Sequence, residues 1–525
     1  MKHFFGIALV ALTLTTLPTN EARSQKFDVK WGDNTKLKYD FDDAVPVSNG
    51  NFLILKLTPK KKWGSVEYIP SLILVSKDMS EIKTEDIELK DDKNATLRGF
   101  EKYGDNIFLM YTEYDNDSKT TSFNALKIDE KTLKVGSKIT LGTFESDKRN
   151  DQATATYKLS ADSSKVLLMV EGPWRKKENE KLYFGIFDTD LKKVWSKQIE
   201  LPIEQRFFDV YDVDVTNDSK VFLAYKHYEK EISRESVRED GSKIPSYAYK
   251  MVVFTQSEKD KELRFDLANK YIQGTRIISN KNGSLTISGL YKKKHNGNIT
   301  GAFYAIIPAG TVEVKNPKMI DFPTDLLELV DKDGYASTKS SDPGLYSNFR
   351  LRHILERENG SVDLVSEYYK LVVRTTSDSK GFTKTTYYYT YGDIVNTNIS
   401  NDGKATFTRI PKNQKMTNAD FFLGFFPIIY KDNLVLIYND DEDNIERELE
   451  KKPDDVMKFK KAVLAAATIN DKGQLTRQAI FRNQDENYIP IPRNTTRIST
   501  DQYLITSDLI KLFKKRTRFG MMTLK

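Results

Sequence analysis

The sequence predicts an all-β fold: a closed ring of repeated four-stranded antiparallel sheets. Three observations carry this. A polar turn followed by an apolar run recurs eight times along the 525 residues. Several of these runs are followed by a second strand–turn–strand pair. The last copy stops one strand short, while a strand-like stretch, Lys26–Trp31, stands unassigned near the N-terminus.

The first element is the N-terminus itself. Lys2 and His3 precede an apolar run from Phe4 to Leu17, Pro18 ends it, and Ala22-Arg23-Ser24 follows in small-x-small form. This reads as a secretory signal peptide over residues 1–24, cleaved before Gln25. The run is shorter than the roughly 20 apolar residues that span a bilayer, and no later segment is long and apolar enough to do so.

The eight runs begin at Phe52, Ile107, Val166, Val221, Leu285, Val362, Leu434 and Tyr503. Their spacing varies, from the short step between Phe52 and Ile107 to the long one between Leu285 and Val362. Each follows a turn rich in Asn, Asp, Gly or Ser, the residues that tight hairpins need. The second hairpin is clearest in Ser71–Leu89, Ser122–Leu141, 181–202, Tyr249–Leu267 and Ala462–Phe481. In 181–202 (KLYFGIFDTDLKKVWSKQIELP), Asp188-Thr189-Asp190 joins strands c and d of the third unit. A unit of strands a, b, c and d repeated at this spacing is a β-propeller blade. Eight blades are expected, with seven the alternative because 324–411 is irregular. Residues 25–525 then form one propeller domain. Lys26–Trp31 supplies the missing outer strand of the last blade and closes the ring, which removes the sheet edges that invite aggregation.

The turns Ser160-Ala161-Asp162-Ser163-Ser164-Lys165, Thr216-Asn217-Asp218-Ser219-Lys220 and Ser400-Asn401-Asp402-Gly403-Lys404 resemble the Ser-x-Asp-Gly-Lys turns of TolB-type, WD40-like propeller repeats. The proline usual in that turn is absent, as is a Trp-Asp signature. The resemblance implies the fold and carries no function.

In a propeller the b–c and d–a connections share one face, and variable insertions gather on the binding side of a repeat protein. Here the b–c connections pair basic clusters with aromatics: Lys60-Lys61-Lys62-Trp63, Trp174-Arg175-Lys176-Lys177, Tyr291-Lys292-Lys293-Lys294-His295, and Phe513-Lys514-Lys515-Arg516. Basic groups attract phosphate, sulfate or carboxylate, and aromatic faces stack on sugar rings. The competing reading is that such lysines only keep the surface soluble. The seventh b–c connection is acidic (Asn439-Asp440-Asp441-Glu442-Asp443-Asn444), and its continuation to Lys461 is expected to form a short exposed helix. It lacks the glycine and spacing of an EF-hand loop.

The chain has no cysteine, which excludes disulfides, a cysteine nucleophile and thiolate metal sites. Net charge is +7, so any basic function must come from clustering. His227, His295 and His353 fall in no zinc-binding spacing. No Gly-x-Ser-x-Gly elbow occurs. Aromatic pairs and runs (Tyr368-Tyr369, Tyr387-Tyr388-Tyr389) are expected to pack between blades. The expected function is a secreted or periplasmic binding or scaffold module of the cell envelope, with an anionic glycan or an envelope protein as partner. No cofactor, metal or nucleic acid is expected. The alternative is a hydrolase or lyase acting on an acidic polysaccharide, since carboxylates are plentiful.

Overall fold

The computed structural model describes residues 25–32, 41–62, 65–87, 95–149, 153–229, 236–239, 242–257, 260–264, 270–339, 341–377, 379, 381–511 and 514–525. Their strands assemble into eight four-stranded antiparallel blades. The blades span 41–86, 95–145, 154–204, 208–264, 271–321, 349–410, 425–482 and, for the eighth, 496–524 with Phe27–Trp31. The inner strands of neighbouring blades touch at most junctions, and blade eight returns to blade one through Thr496–Arg497 against Phe41–Pro46; blades two and three meet through Val135–Glu145 and Asn179–Phe187, and blades seven and eight through Phe425–Tyr430 and the turn at Pro492–Asn494. The alternative of seven blades is thereby excluded.

Burial explains why the b strands read as unbroken apolar runs. In blade one, Phe52 and Ile54 pack towards blade eight, against Leu504, Phe519 and Met521. Leu53 and Leu55, one residue out of phase, pack towards blade two, against Phe100, Ile107 and Leu109. Successive side chains leave a strand on opposite faces. A sheet covered on both faces therefore needs apolar residues at every position. The pattern repeats at each junction, so eight apolar clusters alternate with eight sheets.

Ring closure has the predicted form. Phe27–Trp31 pairs antiparallel with the last strand, Lys514–Leu524, from Phe27 opposite Leu524 to Trp31 opposite Gly520. Gln25 Nε2 donates to the Lys525 carbonyl at 2.7 Å, and Lys525 N to the Lys26 carbonyl at 3.0 Å. Trp31 meets Phe481 of blade seven edge-on at 5.5 Å, and the Arg518 guanidinium lies 4.9 Å over its ring. A Cβ at Gly520 would stand 2.6 Å from the indole, so only glycine admits the ring there.

The propeller-like turns lie where the sequence puts them. Ser160–Lys165 and Thr216–Lys220 join strands a and b, and Ser400–Lys404 joins c and d, all on the face opposite the b–c connections. In the first, Ser160 Oγ donates to Asp162 Oδ1 (2.7 Å) and so does Ser164 N (2.9 Å), while Ser163 turns the chain at φ 59°.

Three details depart from expectation. The acidic seventh connection forms 3₁₀ turns at Glu442–Asn444 and Phe459–Lys461 and no α-helix. Asp440 is buried and accepts from Asn444 Nδ2, and Glu442 pairs with Arg482, so the run is tied into the fold. The second departure is a helix, Thr324–Asp331, between blades five and six. The third concerns the tyrosines. Tyr368 is buried against Phe349 and Tyr335 as expected, but Tyr387 and Tyr388 are exposed. Strands b and c of blade six, Val362–Ser377 and Thr383–Ile399, stay paired far beyond the end of strand a, where Phe349 faces Tyr368. That stretch leaves the blade: Gln414–Thr417 pairs with Tyr388–Tyr391 at its base, and among the described residues no further strand covers the part beyond.

Around blade six the core admits charge. Arg409 donates to Asp393 (2.6 Å) and to Asp333, while Lys412 Nζ donates to Glu367 (2.8 Å) and Gln414 Oε1 (3.1 Å). All six groups are buried. Burial pushes the Asp393 carboxyl up to about 7, against the pull of Arg409.

Two predictions follow from this packing. Removing residues 25–31 strips the outer strand from blade eight, so the shortened protein should melt well below the protein beginning at Gln25; an unchanged melting temperature would refute the closure. Replacing Arg409 with Met leaves two buried carboxylates without their cation, which costs about 3–5 kcal/mol. Chemical denaturation should show that loss, whereas a loss below 1 kcal/mol would mean the pair is effectively solvent-screened.

Candidate ligand-binding site

The predicted site residues divide into two groups. Lys60, Lys61 and Lys62 end strand b of blade one (Phe52–Lys62), in register with Glu67, Val66 and Ser65 of strand c. Lys514, Lys515 and Arg516 open strand c of blade eight, opposite Lys511, Ile510 and Leu509. They were expected in loops. The structure puts them in paired strands instead, because the ladder between b and c continues almost to the tip in both blades. Trp63 lies outside the described residues. Blades one and eight are neighbours in the ring, so these two hairpin ends belong to adjacent sheets on the same face.

The third cluster is in a true loop. Strand b of blade three ends at Glu171 and strand c begins at Asn179. Trp174 stands 62% exposed between them, and Lys176 and Lys177 are also exposed. Arg175 turns inward. Its Nη2 donates to Asp147 of the blade two–three connection at 2.7 Å, and its Nε lies 3.9 Å from Glu178. Its backbone N–H donates to Gln205 Oε1, and Gln205 Nε2 donates to the Pro173 carbonyl at 3.3 Å. Gln205 is buried in the connection to blade four and fixes the loop from below.

These groups line a cavity of about 240 Å³. Phe144, Glu145 and Asp147 enter from blade two, and Pro173, Arg175, Glu178, Lys181 and Gln205 from blade three and the strand that leaves it. Both chain neighbours of Trp174 are in the lining. The charges are mixed: Arg175 and Lys181 are each within 4.0 Å of a carboxylate. A larger groove of about 730 Å³ runs beside the outer strand of blade one, but it collects no b–c loop.

Behind the cavity stand two carboxyls that sequence reasoning did not single out. Glu180 alternates with Leu182 and Phe184, so it faces the junction with blade four. Burial, reinforced by neighbouring Glu171, pushes its carboxyl up to about 8. Burial, then Asp209, also raises Glu171. In sequence each resembles an ordinary polar strand end, and nothing local marks the encounter. On the opposite side of blade four, towards blade five, Lys226 is buried with its ammonium 4.0 Å from the centre of Tyr247 and 5.0 Å from that of Tyr211.

The basic cluster of blade five holds its own loop. Lys292 donates to the His295 carbonyl (2.9 Å), Lys293 to Asp321 (2.6 Å), and Lys294 to the Ser341 carbonyl. Burial lowers His353 to about 4, and it packs edge-on against Phe425. His227 is likewise lowered, by burial and Lys250. Among the described residues no three His, Asp or Glu side chains gather as metal ligands, and no helix is long and apolar enough to cross a membrane.

Sheet order and ring closure define the protein as an eight-bladed β-propeller. No family model matches the sequence, and no curated protein matches it. Solved structures with a similar course of chain include the β-propeller domain of the trilobed protease from Pyrococcus furiosus, with 12% identity, 85% of this chain and 97% of that one covered, and a TM-score of 0.36. The polysaccharide lyase Uly1 is 10% identical over 83% of this chain and 91% of its own, TM-score 0.38. The WD40 domain of SCAP from fission yeast is 9% identical over 97% of both, TM-score 0.38. At these identities no activity passes from them to this chain.

Glu180 gives a pH test. Its proton is bound more tightly in the folded chain than in the unfolded one, so it favours the fold at low pH. That contribution is lost as pH rises from the ordinary glutamate range through about 8. Glu180→Gln removes the titration. The melting-temperature difference, variant minus parent, should therefore become more positive from pH 5 to pH 9. A difference independent of pH would show that Glu180 titrates normally.

Proposed function

We propose that the protein is exported, loses residues 1–24, and works at the cell envelope as a binding module whose b–c face takes a glycan. The observation that carries this reading is the pairing of exposed Trp174 with the cavity lined by its neighbours Pro173 and Arg175. An indole is a flat apolar surface with one polar edge, suited to the face of a sugar ring. The lining beside it offers carboxylates, a guanidinium, an ammonium and a carboxamide, which can donate to and accept from hydroxyl groups. Specificity in such sites comes from a few placed polar groups beside an apolar surface. The hydrophobic leader and the absence of cysteine support export to a bacterial envelope.

The ionic pairing within the cavity bears on ligand charge. Arg175 is already countered by Asp147 and Glu178. Attraction for an anionic glycan rests on exposed Lys177 and on the basic hairpin ends at Lys60–Lys62 and Lys514–Arg516, which the backbone brings to adjacent blades. An envelope protein is the other partner this face could hold.

A second reading, a hydrolase or lyase on acidic polysaccharide, draws on Glu180. A carboxyl that keeps its proton near neutral pH has the character of a general acid. Its side chain lies towards blade four, however, and is not among the groups lining the cavity.

Binding to immobilised glycans tests the first reading. Trp174→Ala should lower affinity by about fivefold or more, given that one aromatic–ligand stack is worth about 1–3 kcal/mol, with no change in melting temperature. Neutralising Lys60–Lys62 together with Lys514–Arg516 should weaken retention on heparin and leave neutral glycans unaffected. An unchanged Trp174→Ala isotherm would remove the cavity from the reading. New reducing ends or unsaturated products from an acidic polysaccharide would establish the enzyme instead.

A further inference from the structure

The projecting hairpin of blade six carries five of the eleven large hydrophobic side chains exposed among the described residues: Leu371, Val373, Phe382, Tyr387 and Tyr388. Residues directly opposite in an antiparallel pair share a face. Leu371 faces Tyr389, Val373 faces Tyr387 and Thr375 faces Thr385, which makes one side of the hairpin apolar. Lys370, Val372, Arg374 and Thr376 alternate with them on the other side, where Arg374 lies 5.3 Å over the Tyr388 ring.

The edge of this hairpin is also open. Strand a covers strand b only as far as Tyr368, and Tyr369 N donates to the Asn348 carbonyl. Beyond that, among the described residues, no strand lies on the outer side of 370–376. An edge of this length without Pro or Gly is a template for another strand. Soluble proteins usually blunt such edges; the outermost strand of each blade is also an edge, but it lies at the rim of the ring and does not project from it.

Its sequence, Lys370-Leu371-Val372-Val373-Arg374-Thr375-Thr376, fits itself. Two copies related by a two-fold axis perpendicular to the sheet pair antiparallel with the axis at one residue, and the apolar sides stay together. An axis at Val372 sets Lys370 against Arg374. An axis at Arg374 sets that arginine against its own mate. With the axis at Val373, Lys370 faces Thr376, Leu371 faces Thr375, Val372 faces Arg374, and no like charges oppose one another. The apolar sides of both hairpins then join into one surface of Leu371, Val373 and Tyr387 from each copy.

We propose that residues 370–376 form the edge at which two copies of this chain pair, two-fold about Val373. Such an interface is isologous and closes at two subunits. It buries less than a standard interface does, so the dimer should dissociate on dilution.

The absence of native cysteine makes the register testable in the chain from Gln25 to Lys525. At the two-fold position a Val373→Cys pair is brought within disulfide range. In a Lys370→Cys protein the two thiols are six residues of strand apart, about 20 Å. Sedimentation should show a monomer–dimer equilibrium for the parent protein. Mild oxidation should cross-link Val373→Cys into a dimer and leave Lys370→Cys mostly uncross-linked. Val373→Arg, which sets like charges together at the axis, should be monomeric with its melting temperature kept. A parent protein that stays monomeric at all concentrations would overturn the proposal, as would equal cross-linking of both cysteine variants or of neither. Flotation of a purely monomeric protein with anionic vesicles would instead give the hairpin to a lipid surface.

Discussion

Every blade in this protein must be covered on both faces, and the rest of the structure depends on that requirement. A lone four-stranded sheet of this composition would leave both apolar sides in water. Placing eight of them in a ring gives each side a neighbour, and apolar burial at about 25 cal/mol per Å² then acts at every junction. The cost is that no blade is stable as an independent unit, so the ring must have no gap. Blade eight is where the chain would otherwise leave one, and Phe27–Trp31 fills it with main-chain pairing and an indole that reaches blade seven. A large chain without a disulfide can rely on this because the contacts of any one blade are held by two others.

Charge is admitted to this core only where geometry satisfies it. Arg409 between two aspartates and Lys412 against Glu367 lie under the connections of blades five to seven, the part of the ring with the longest insertions. There the polar backbone of the helix at Thr324–Asp331 and of 411–424 needs anchors, and buried ionic groups supply directional ones. Such pairs add little net stability over apolar substitutes. Their effect is to fix one arrangement of the loops. The pair Glu171 and Glu180 differs, because burial raises both carboxyls, reinforced by the repulsion of Glu171 on Glu180 and by Asp209 beside Glu171. Raising the affinity for a proton lowers the cost of the pair.

The architecture was legible in the sequence because its cause is periodic. Phe52 to Leu55 reads as a run with no polar residue because two sheets compete for that strand, and the same cause recurs at Ile107, Val166 and Leu434. The closing strand was legible as the arithmetic of a missing fourth strand. The site was less so. Trp174 and its basic neighbours could be picked out, but the partners that neutralise Arg175 come from Asp147 and Glu178, across a blade boundary in one case. Burial of Glu180 depends on Gln205 and on the neighbouring sheet. The long hairpin of blade six was misread for a related reason. Strand alternation around Tyr387 looks the same whether a sheet faces it or water does, and only the end of strand a at Phe349 decides between them.

The two faces of the ring answer to different constraints, and that is why blade three carries the strongest case for a site. On the face of the a–b and c–d turns, Asp162, Asp218 and Asp402 each spend their carboxylates on the turn itself, so that face is built for shape. On the other face, the connections have no such common task. Those of blades one and eight are drawn into strands, that of blade five binds its own lysines, and that of blade seven is tied down by Asp440 and Glu442. The blade three loop is anchored from below by Gln205 and at its side by Arg175, which leaves Trp174 held in place but uncovered. A rigid support under an exposed aromatic lowers the ordering cost of any contact it makes. That combination, more than the count of lysines nearby, distinguishes this loop from the others on the same face.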